Sequence, residues 1–349
     1  MISPVTHLLP LTNIRRARML PDKGNVLVSV NQRVNAGEVV AESPLIGHHT
    51  ILDVRKAFGL EHFEDAHKLV RYKIGEGVEK GDILAQTGGI FPRIVRAPVS
   101  GTVVSVNRGQ IILEQTAQKL ELMAGIAGTV AEILPDRGVV IESNGALIQG
   151  VWGNGRINQG MLLITDQPPE EEFTRSSLDL SMRGAIVLAG YVSKADALEA
   201  ADSLPVRGLI LSSMAATLIP LAMKVSYPII LIEGFGQVAM NNAAYQLLIT
   251  NEKREICLNG EWDASRAEKP EIFIPLPAQG NPLQEFADLS AGKTVRVNVP
   301  PYSGQSATLV SLLPGMTTLA NGKRVQAANI RLSNNRVVPV PLANLDVLE

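Results

Sequence analysis

The histidines are the first candidates for chemistry, because all five of them lie in the first fifth of the chain. His48 and His49 precede a short helical stretch that contains His62 and His67. Imidazole nitrogens and a nearby carboxylate can ligate zinc or another divalent ion. The last two histidines are five residues apart, which places them about 140° apart around a helix, so they do not share a face. The pattern therefore favours solvated or partly packed histidines over a metal centre.

A glycine-rich turn is the second candidate. Gly234, Phe235 and Gly236 begin a Gly-x-Gly-x-x-Ala pattern between a predicted strand at 228–232 and a predicted helix at 238–248. Backbone amides of such a turn, with the N-terminus of the helix, can hold a phosphate. The competing interpretation is a turn that only allows close packing, because the pattern follows the third strand of its region and no clear acidic residue ends a strand about 20 residues later. Nucleotide or anion binding at this turn is the alternative function.

Four further residues are candidates for a ligand site or an interface. Trp152, Asn154 and Arg156 lie in a glycine-rich segment, where the indole ring and the guanidinium could stack on and pair with an anion. The same segment contains Asn-Gly, which is typical of a tight hairpin with the tryptophan covering a small core. Glu233 is the only carboxylate at the end of a predicted strand in its region, and ligands of open α/β sheets bind at that edge.

Nucleophilic catalysis is not expected in the second half of the chain. No histidine follows residue 67, which excludes a Ser-His-Asp or Cys-His arrangement within that half. Cys257 is the only cysteine, so an internal disulfide, a cysteine-ligated iron–sulfur cluster and a zinc ribbon are excluded. We expect this thiol to be a small core residue, and a non-catalytic protein is favoured over an enzyme.

The elements that position these residues begin with an internal repeat. A Val-x-x-Gly-(Glu/Asp)-x-x-Ala phrase occurs twice, 44 residues apart. The matched pairs are Val34 with Val78, Gly37 with Gly81, Glu38 with Asp82, and Ala41 with Ala85. A second echo relates residues 97–103 to residues 124–130. Glycine followed by an acid is typical of tight turns, so the repeats predict short strands joined by such turns.

These repeats, followed by the Ala-Pro-x-x-Gly turn at residues 97–101, resemble the barrel-sandwich hybrid fold of biotinyl and lipoyl carrier domains. The resemblance implies a modified lysine in a protruding hairpin, seven residues before the alanine of that turn. Ile90 occupies this position and cannot form the required amide. We therefore expect neither biotin nor lipoate. Unmodified domains of this kind occur in larger assemblies, such as the C subunit of Rnf-type electron-transport complexes and multi-subunit polymerases.

The C-terminal segment is β-rich and resembles a small SH3-like barrel of the KOW type. The resemblance rests on the run Gly-Lys-Thr-Val-Arg-Val at 292–297, on Tyr-Ser-Gly at 302–304, and on the closing residues 338–345. Residues 288–349 contain six basic and three acidic side chains, with Tyr302 as the sole aromatic. Because nucleic-acid surfaces combine basic grooves with several aromatic platforms, we expect protein contacts here, and RNA binding is a third possibility.

The predicted fold class is multi-domain α+β. Continuous apolar runs at 184–189, 208–211 and 228–232, with helical segments between them, predict a small three-layer α/β module. The predicted divisions are a barrel-sandwich hybrid domain at 1–115, a small β unit at 116–165, a linker at 166–182, the α/β module at 183–262, a proline-rich linker at 263–287 and the SH3-like barrel at 288–349.

Composition sets the remaining expectations. The formal net charge of the 349-residue chain is −2. The overall charge therefore does not favour binding to nucleic acid or to an anionic membrane. No apolar run approaches the roughly 18–20 residues of a membrane helix, and no signal peptide is visible. The sequence thus predicts a cytoplasmic scaffold or accessory subunit without a membrane-inserted segment, which associates with a protein partner or with itself.

Overall fold

The computed structural model describes residues 2–44, 49–89, 91–115, 119–262, 268–283, 286–302 and 304–348. Within these residues β-strands dominate, arranged in several sheets, and the five α-helices are short. The longest helix has nine residues. No helix in the described ranges is long and apolar enough to cross a membrane.

The chain divides into two compact units. Unit 1 comprises Met1–Met19, Val26–Ala41 and Leu122–Glu349, and unit 2 comprises Leu20–Asn25 and Glu42–Glu121. Most of unit 2 is therefore an insertion between two segments of unit 1 that are far apart in sequence.

The N-terminal third contains twelve described strands and two helices. The strands are β1 (Ile2–Thr6), β2 (Leu8–Met19), β3 (Asn25–Val26), β4 (Arg33–Val34), β5 (Val39–Pro44), β6 (His49–Asp53), β7 (Gly77–Val78), β8 (Ile83–Gln86), β9 (Ile94–Arg96), β10 (Gly101–Asn107), β11 (Gln110–Gln115) and β12 (Lys119–Met123). The helices are α1 (Val54–Phe58) and α2 (Phe63–Lys68).

The middle of the chain alternates strands and helices. Its strands are β13 (Gly128–Leu134), β14 (Gly138–Gln149), β15 (Trp152–Gly153), β16 (Ile157–Ile164), β17 (Ile186–Ala189), β18 (Gly208–Met214), β19 (Ile229–Phe235), β20 (Glu255–Asn259) and β21 (Glu271–Pro275). Its helices are α3 (Ala195–Ser203), α4 (Ile219–Ala222) and α5 (Asn242–Ile249), with 3-10 turns at Arg175–Ser177, Leu180–Met182 and Ala216–Leu218.

The C-terminal strands are β22 (Asn281–Pro282), β23 (Phe286–Asp288), β24 (Thr294–Val297), β25 (Ser306–Leu312), β26 (Thr317–Thr318), β27 (Arg324–Val325), β28 (Ala327–Arg331), β29 (Val337–Pro341) and β30 (Leu345–Leu348). Six of the nine described C-terminal strands form a seven-stranded sheet together with the N-terminal strand β1, whereas β22 pairs with β2, and β26 and β27 pair with each other. The order in the sheet is β23-β1-β30-β24-β25-β28-β29. Strand β1 pairs in parallel with β30, so the two ends of the chain meet in one sheet.

A hydrogen-bonded module occurs twice in the molecule. Module A consists of residues 26–41 and 122–142 of unit 1, and module B consists of residues 70–86 and 94–114 of unit 2. Four backbone hydrogen bonds of module A each have an equivalent in module B. In module A they run from Leu27 N to Val40 O, Asn31 N to Val130 O, Val130 N to Gln32 O and Ala124 N to Glu38 O. In module B the equivalents, in the same order, run from Arg71 N to Leu84 O, Gly75 N to Val103 O, Val103 N to Glu76 O and Ala97 N to Asp82 O.

Strand pairing and turn contacts agree with this duplication. The strand pair Gly128–Val34 in module A corresponds to the pair Gly101–Val78 in module B. The hairpins β13–β14 and β10–β11 each have a register shift directly after an equivalent valine, Val130 and Val103. The acidic side chains of the repeated phrase have the same local role: each accepts from the backbone amide three residues before it. The two echoes in the sequence are thus parts of one duplication.

The two copies are nested: the chain of module B is inserted between the two segments that form module A. The spacing of the repeats in the sequence alone does not reveal this. In module B, residues 87–93 join β8 to β9. In module A, the chain leaves through β5 and returns through β12, so residues 42–121 replace the corresponding connection. A salt bridge of 2.9 Å joins Lys119 Nζ to Glu42 where the chain enters and leaves unit 2. Residues 122–142, which the sequence assigns to a separate small β unit, complete module A.

The largest sheet joins module A to the α/β region. Its order is β15-β19-β18-β17-β16-β20-β21-β14-β13-β4, with β2 beside β14. Strands β16 to β19 are parallel, whereas β20, β21 and β14 are antiparallel to their neighbours. One face buries isoleucines of β18, β19 and β21 against α5, and part of the opposite face packs on α3 and α4.

The proline-rich segment at 263–287, predicted as a linker, contains the buried strand β21. Pro270 and Pro275 lie at or just outside the ends of this strand, so residues 271–274 keep the amides that pair with β14 and β20. Ile272, Phe273 and Ile274 are fully buried. Proline density marks the boundaries of this strand rather than a flexible connection.

The duplicated glycines Gly101 and Gly128 give a test of the module. A Cβ at Gly101 would lie 2.2 Å from the carbonyl oxygen of Glu114, and one at Gly128 would lie 2.5 Å from that of Glu142. We expect Gly101→Ala and Gly128→Ala each to reduce the free energy of unfolding by about 1–3 kcal/mol, since backbone atoms cannot move freely aside. Urea unfolding measures the change. Gly77→Ala, where the added methyl group meets open space, should be nearly neutral; a loss as large as at Gly101 would contradict the steric explanation.

Candidate functional site

The hairpin β8–β9 of unit 2 is held firmly at its base. Arg71 N donates to Leu84 O at 2.8 Å, and Gln86 N donates to Leu69 O at 3.2 Å, so the preceding segment forms a third strand-like neighbour. Near the tip, Thr87 N donates to Arg93 O at 3.0 Å, and Arg93 N donates to Thr87 Oγ1 at 2.8 Å. Thr87 and Arg93, which flank the tip, are therefore joined to each other by two hydrogen bonds above a hydrogen-bonded base.

The outer side of this hairpin presents apolar and basic side chains together. Gln86 lies opposite Ile94 in the strand register, while Ala85 on the other side is fully buried. Phe91, next to the tip, is 93% exposed, and Ile94 is 40% exposed. We define the hairpin face as Arg71, Ile83, Gln86, Phe91, Ile94 and Arg96.

A cleft of about 480 Å³ lies at the base of the hairpin face. It is lined by Arg71, Tyr72, Gly81, Asp82, Ile83 and Arg96. Asp82 accepts hydrogen bonds from the amide of Glu79 at 2.8 Å and from the Tyr72 hydroxyl at 3.2 Å. Desolvation and the Asp82 carboxylate raise the pKa of Tyr72. The cleft thus combines two guanidinium groups with a carboxylate that already has local partners.

Ile90, the position that the carrier resemblance assigns to a modified lysine, lies outside the described residues. The hairpin sequence from residue 83 to residue 96 contains no lysine. The expectation that no biotin or lipoate is attached stays a prediction from the sequence.

The glycine turn at Gly234, Phe235 and Gly236 differs from the predicted phosphate-binding turn in its connections. Strand β19 continues through Phe235 beside β18, and both glycines have positive φ, 106° and 115°. Gly236 N donates to Met214 O at 2.9 Å, and Val238 N donates to Ser213 Oγ at 2.9 Å. Two amides that could face a phosphate therefore already have intramolecular acceptors.

Helix α5 begins at Asn242, not at residue 238 as the sequence pattern predicted. Asn241 is the N-cap, and its side-chain oxygen accepts from Ala244 N at 2.9 Å. Asparagine is among the best N-cap residues, and it fixes the start four residues later than the apolar periodicity suggested. The N-terminus of α5 therefore does not directly follow the glycines, as it would in the predicted phosphate-binding turn. Nucleotide binding at this turn stays a prediction.

Glu233 is buried in an ion-pair network rather than open at the sheet edge. Its Oε1 accepts from Asn241 N at 2.9 Å and from Asn241 Nδ2 at 2.6 Å. Arg296 Nη1 lies 3.5 Å from Glu233 Oε2 and donates to Ile232 O at 3.0 Å. Arg296 Nη2 lies 3.2 Å from Asp346. The strand-end carboxylate therefore connects β19 to β24 and β30 of the C-terminal sheet.

The structure brings Trp152 to the glycine turn but gives Asn154 a structural role. The rings of Trp152 and Phe235 meet edge to face with centroids 5.7 Å apart. The buried Asn154 donates to the carbonyls of Ala222 and Tyr227 and accepts from Ile229 N. The half-buried Arg156 has no hydrogen bond at Nε within the described residues.

The candidate metal ligands do not form a cluster in the described part of the chain. His49 is exposed on β6, His62 is the N-cap of α2, and His67 lies in that helix. His48 lies outside the described residues. Among the residues that are described, no group of three or more histidine, cysteine, aspartate or glutamate side chains is arranged to hold a metal ion.

A buried polar network around His7 was not found from the sequence. The His7 amide donates to Gln149 Oε1 at 3.2 Å, and Gln149 Nε2 donates to Glu271 Oε1 at 3.0 Å. Arg16 contacts both oxygens of Glu271, at 3.0 and 2.6 Å. Burial lowers the pKa of His7 to about 4; Glu271 raises it, whereas Arg16 and Lys269 lower it further. These residues are widely separated in the chain, so no local motif indicates them.

The network at Arg296 predicts a large loss of stability when one partner is removed. Arg296→Met should reduce the free energy of unfolding by about 3–5 kcal/mol, because the Glu233 carboxyl group would remain buried without its cationic partner. Adding Glu233→Gln should restore much of this loss in urea unfolding. Arg15→Met is the matched control, since Arg15 lies 4.0 Å from Glu132 and is largely exposed; we expect a change below about 1 kcal/mol. Equal effects of the two single variants would contradict this assignment.

His7 predicts an acid-sensitive contribution to stability. The folded protein keeps His7 neutral while the unfolded chain binds a proton between pH 6.5 and about 4. This contribution is fully present above pH 6.5 and falls as the pH is lowered, by up to about 1.4 kcal/mol per pH unit. His7→Gln should remove that part of the slope when urea unfolding is compared at pH 7 and pH 5. His67→Gln, at an exposed position, should retain the wild-type slope; an unchanged slope in His7→Gln would refute the prediction.

Comparison of the chain with protein-family models and with curated proteins found no match. Function is therefore inferred from the contacts, charges and exposed surface of the described residues.

Proposed function

We propose that this protein is a non-catalytic scaffold or accessory subunit that binds another protein through the hairpin face of unit 2. The observation that carries the proposal is the 93% exposure of Phe91 on a hairpin whose base and neck are hydrogen-bonded. Aromatic side chains on rigid supports are frequent anchors of protein interfaces, because they bury a large apolar area with little loss of side-chain entropy.

Phe91 differs from the other phenylalanines whose side chains are described. Phe58, Phe173 and Phe273 are buried in cores, and Phe63 and Phe235 are about half exposed. An isolated exposed apolar residue is common on protein surfaces, but here Ile94 and Ile83 extend the apolar area along the same hairpin. The arrangement fits a site that a partner covers.

The proposal assigns module B to the barrel-sandwich hybrid fold without a modified lysine. Its support is the repeated phrase in the sequence and the bond-by-bond agreement of the two modules. In a carrier domain the equivalent hairpin presents the cofactor to another protein. The hairpin of module B lacks this lysine but has the exposed Phe91, through which it can still contact a protein partner.

We assign the C-terminal sheet to the SH3-like type and to protein contacts rather than RNA. Arg296, one of its six basic residues, is buried beside Glu233 and Asp346. Four exposed basic side chains, Lys323, Arg324, Arg331 and Arg336, and the single aromatic Tyr302 are potential contacts. A surface with so few stacking platforms is a weak candidate for binding RNA.

The function is tested by changing Phe91. Tagged wild-type protein is purified from its native host, co-purifying proteins are quantified by mass spectrometry, and the identified partner is then produced and titrated by calorimetry. We expect Phe91→Ser to weaken binding about 10–30-fold, as the loss of an interface anchor does. Leu180→Ser is the matched control, because Leu180 is 85% exposed in unit 1 and should bind as wild type. Equal binding by wild type and Phe91→Ser would end the proposal.

A further inference from the structure

We infer that the segment recognised by the hairpin face is an acidic peptide segment of the partner, an inference that rests on the proposed function. Three arginines lie in or next to the hairpin: Arg93 and Arg96 belong to it, and Arg71 lies in the neighbouring segment. The guanidinium group of each one donates to an uncharged oxygen atom. Arg71 donates to Gln86 Oε1 at 2.7 Å, Arg93 to the carbonyl of Phe58 at 3.0 Å, and Arg96 to the carbonyl of Gly81 at 2.8 Å. These bonds orient the guanidinium groups without neutralising their charge.

The absence of counter-ions at the hairpin contrasts with other parts of the fold. Arg16 pairs with Glu271, Arg18 with Glu261, and Arg296 with Glu233. Within the described residues, none of the three hairpin arginines has a carboxylate oxygen within 4.0 Å. Charge complementarity therefore favours carboxylates supplied by a partner, for which guanidinium is a bidentate donor.

Module A provides an internal comparison. Its positions equivalent to Arg71, Tyr72 and Arg96 are occupied by Leu27, Val28 and Met123. The backbone bond from Leu27 N to Val40 O is nevertheless equivalent to the bond from Arg71 N to Leu84 O. Module A therefore forms these bonds without arginine at these positions, so the two guanidinium groups that line the cleft belong to module B and have no equivalent in module A. Such features point to binding rather than to the folding of the module.

The cleft favours an acidic peptide over a nucleic acid. Asp82 lines the cleft together with Arg71 and Arg96, and Glu76 and Glu79 lie in the turn that precedes Asp82. A continuous phosphate backbone would approach these carboxylates, whereas separate acidic side chains can reach Arg71 and Arg96 individually. Phe91 and Ile94 are exposed apolar side chains of the same hairpin. The best ligand therefore has at least two acidic residues close to an aliphatic or aromatic residue.

A random 16-residue peptide display library selected on the full-length protein tests this inference. We expect enrichment of peptides that contain acidic residues next to an apolar residue. Fluorescence anisotropy of one enriched peptide should then show binding that weakens with salt and falls at least tenfold in Arg71→Ala/Arg96→Ala. Arg55→Ala/Lys56→Ala removes the same charge from exposed positions of α1 and should bind as wild type.

A second variant separates loss of charge from loss of structure. Arg71→Lys/Arg96→Lys retains both charges and should bind several-fold more tightly than the double alanine variant. Enriched peptides without acidic residues, equal binding by the alanine variant, or tighter binding of oligouridylate that competes with the peptide would each overturn the inference. If Phe91→Ser abolishes partner binding but the selected peptides are neutral, only the acidic specificity fails. If Phe91→Ser binds the partner normally, the proposed function itself fails.

Discussion

The pairing of strand β14 is the constraint on which most of unit 1 depends. Residues 138–142 of this strand pair with β13 of module A, residues 145–149 pair with β21, and β2 pairs along the opposite edge. Since the backbone groups of a buried strand must all find partners, one continuous strand fixes module A and the α/β region in a single sheet. These two parts of the chain, which the sequence divides, are therefore structurally inseparable.

The C-terminal sheet occupies the place where an open α/β sheet usually receives its ligand. Glu233 lies near the C-terminal end of the parallel strand β19, where Asn241 donates to it and Arg296 reaches it from β24. A buried carboxylate needs a cation and hydrogen-bond donors nearby, and here the protein supplies both. This strand edge is thus used to connect two sheets of unit 1.

The sequence predicted the features that depend on nearby residues and missed those that depend on distant pairing. The turns around Gly37 and Gly81 were predicted because each glycine is followed directly by an acidic residue. Such an acid accepts from a backbone amide only three residues before it, so the pattern is local. The hairpin lacking a lysine was likewise visible in the sequence. In contrast, β21 was obscured by prolines that lie only at its ends. The contact of Arg296 with Glu233 and the His7 network required the tertiary fold, because no spacing rule relates residues so far apart.

The nested duplication explains why one hairpin can be assigned to binding. Both modules have the same backbone bonds, so the requirements of folding are common to them. In module A, the connection that corresponds to the hairpin tip is replaced by the insertion of residues 42–121. In module B, that connection is a short loop with Phe91 exposed and with arginines at positions that are apolar in module A. Module A forms the same backbone bonds without arginine at these positions, and this difference between the modules is the ground on which we propose an intermolecular contact for the exposed ring and the arginines.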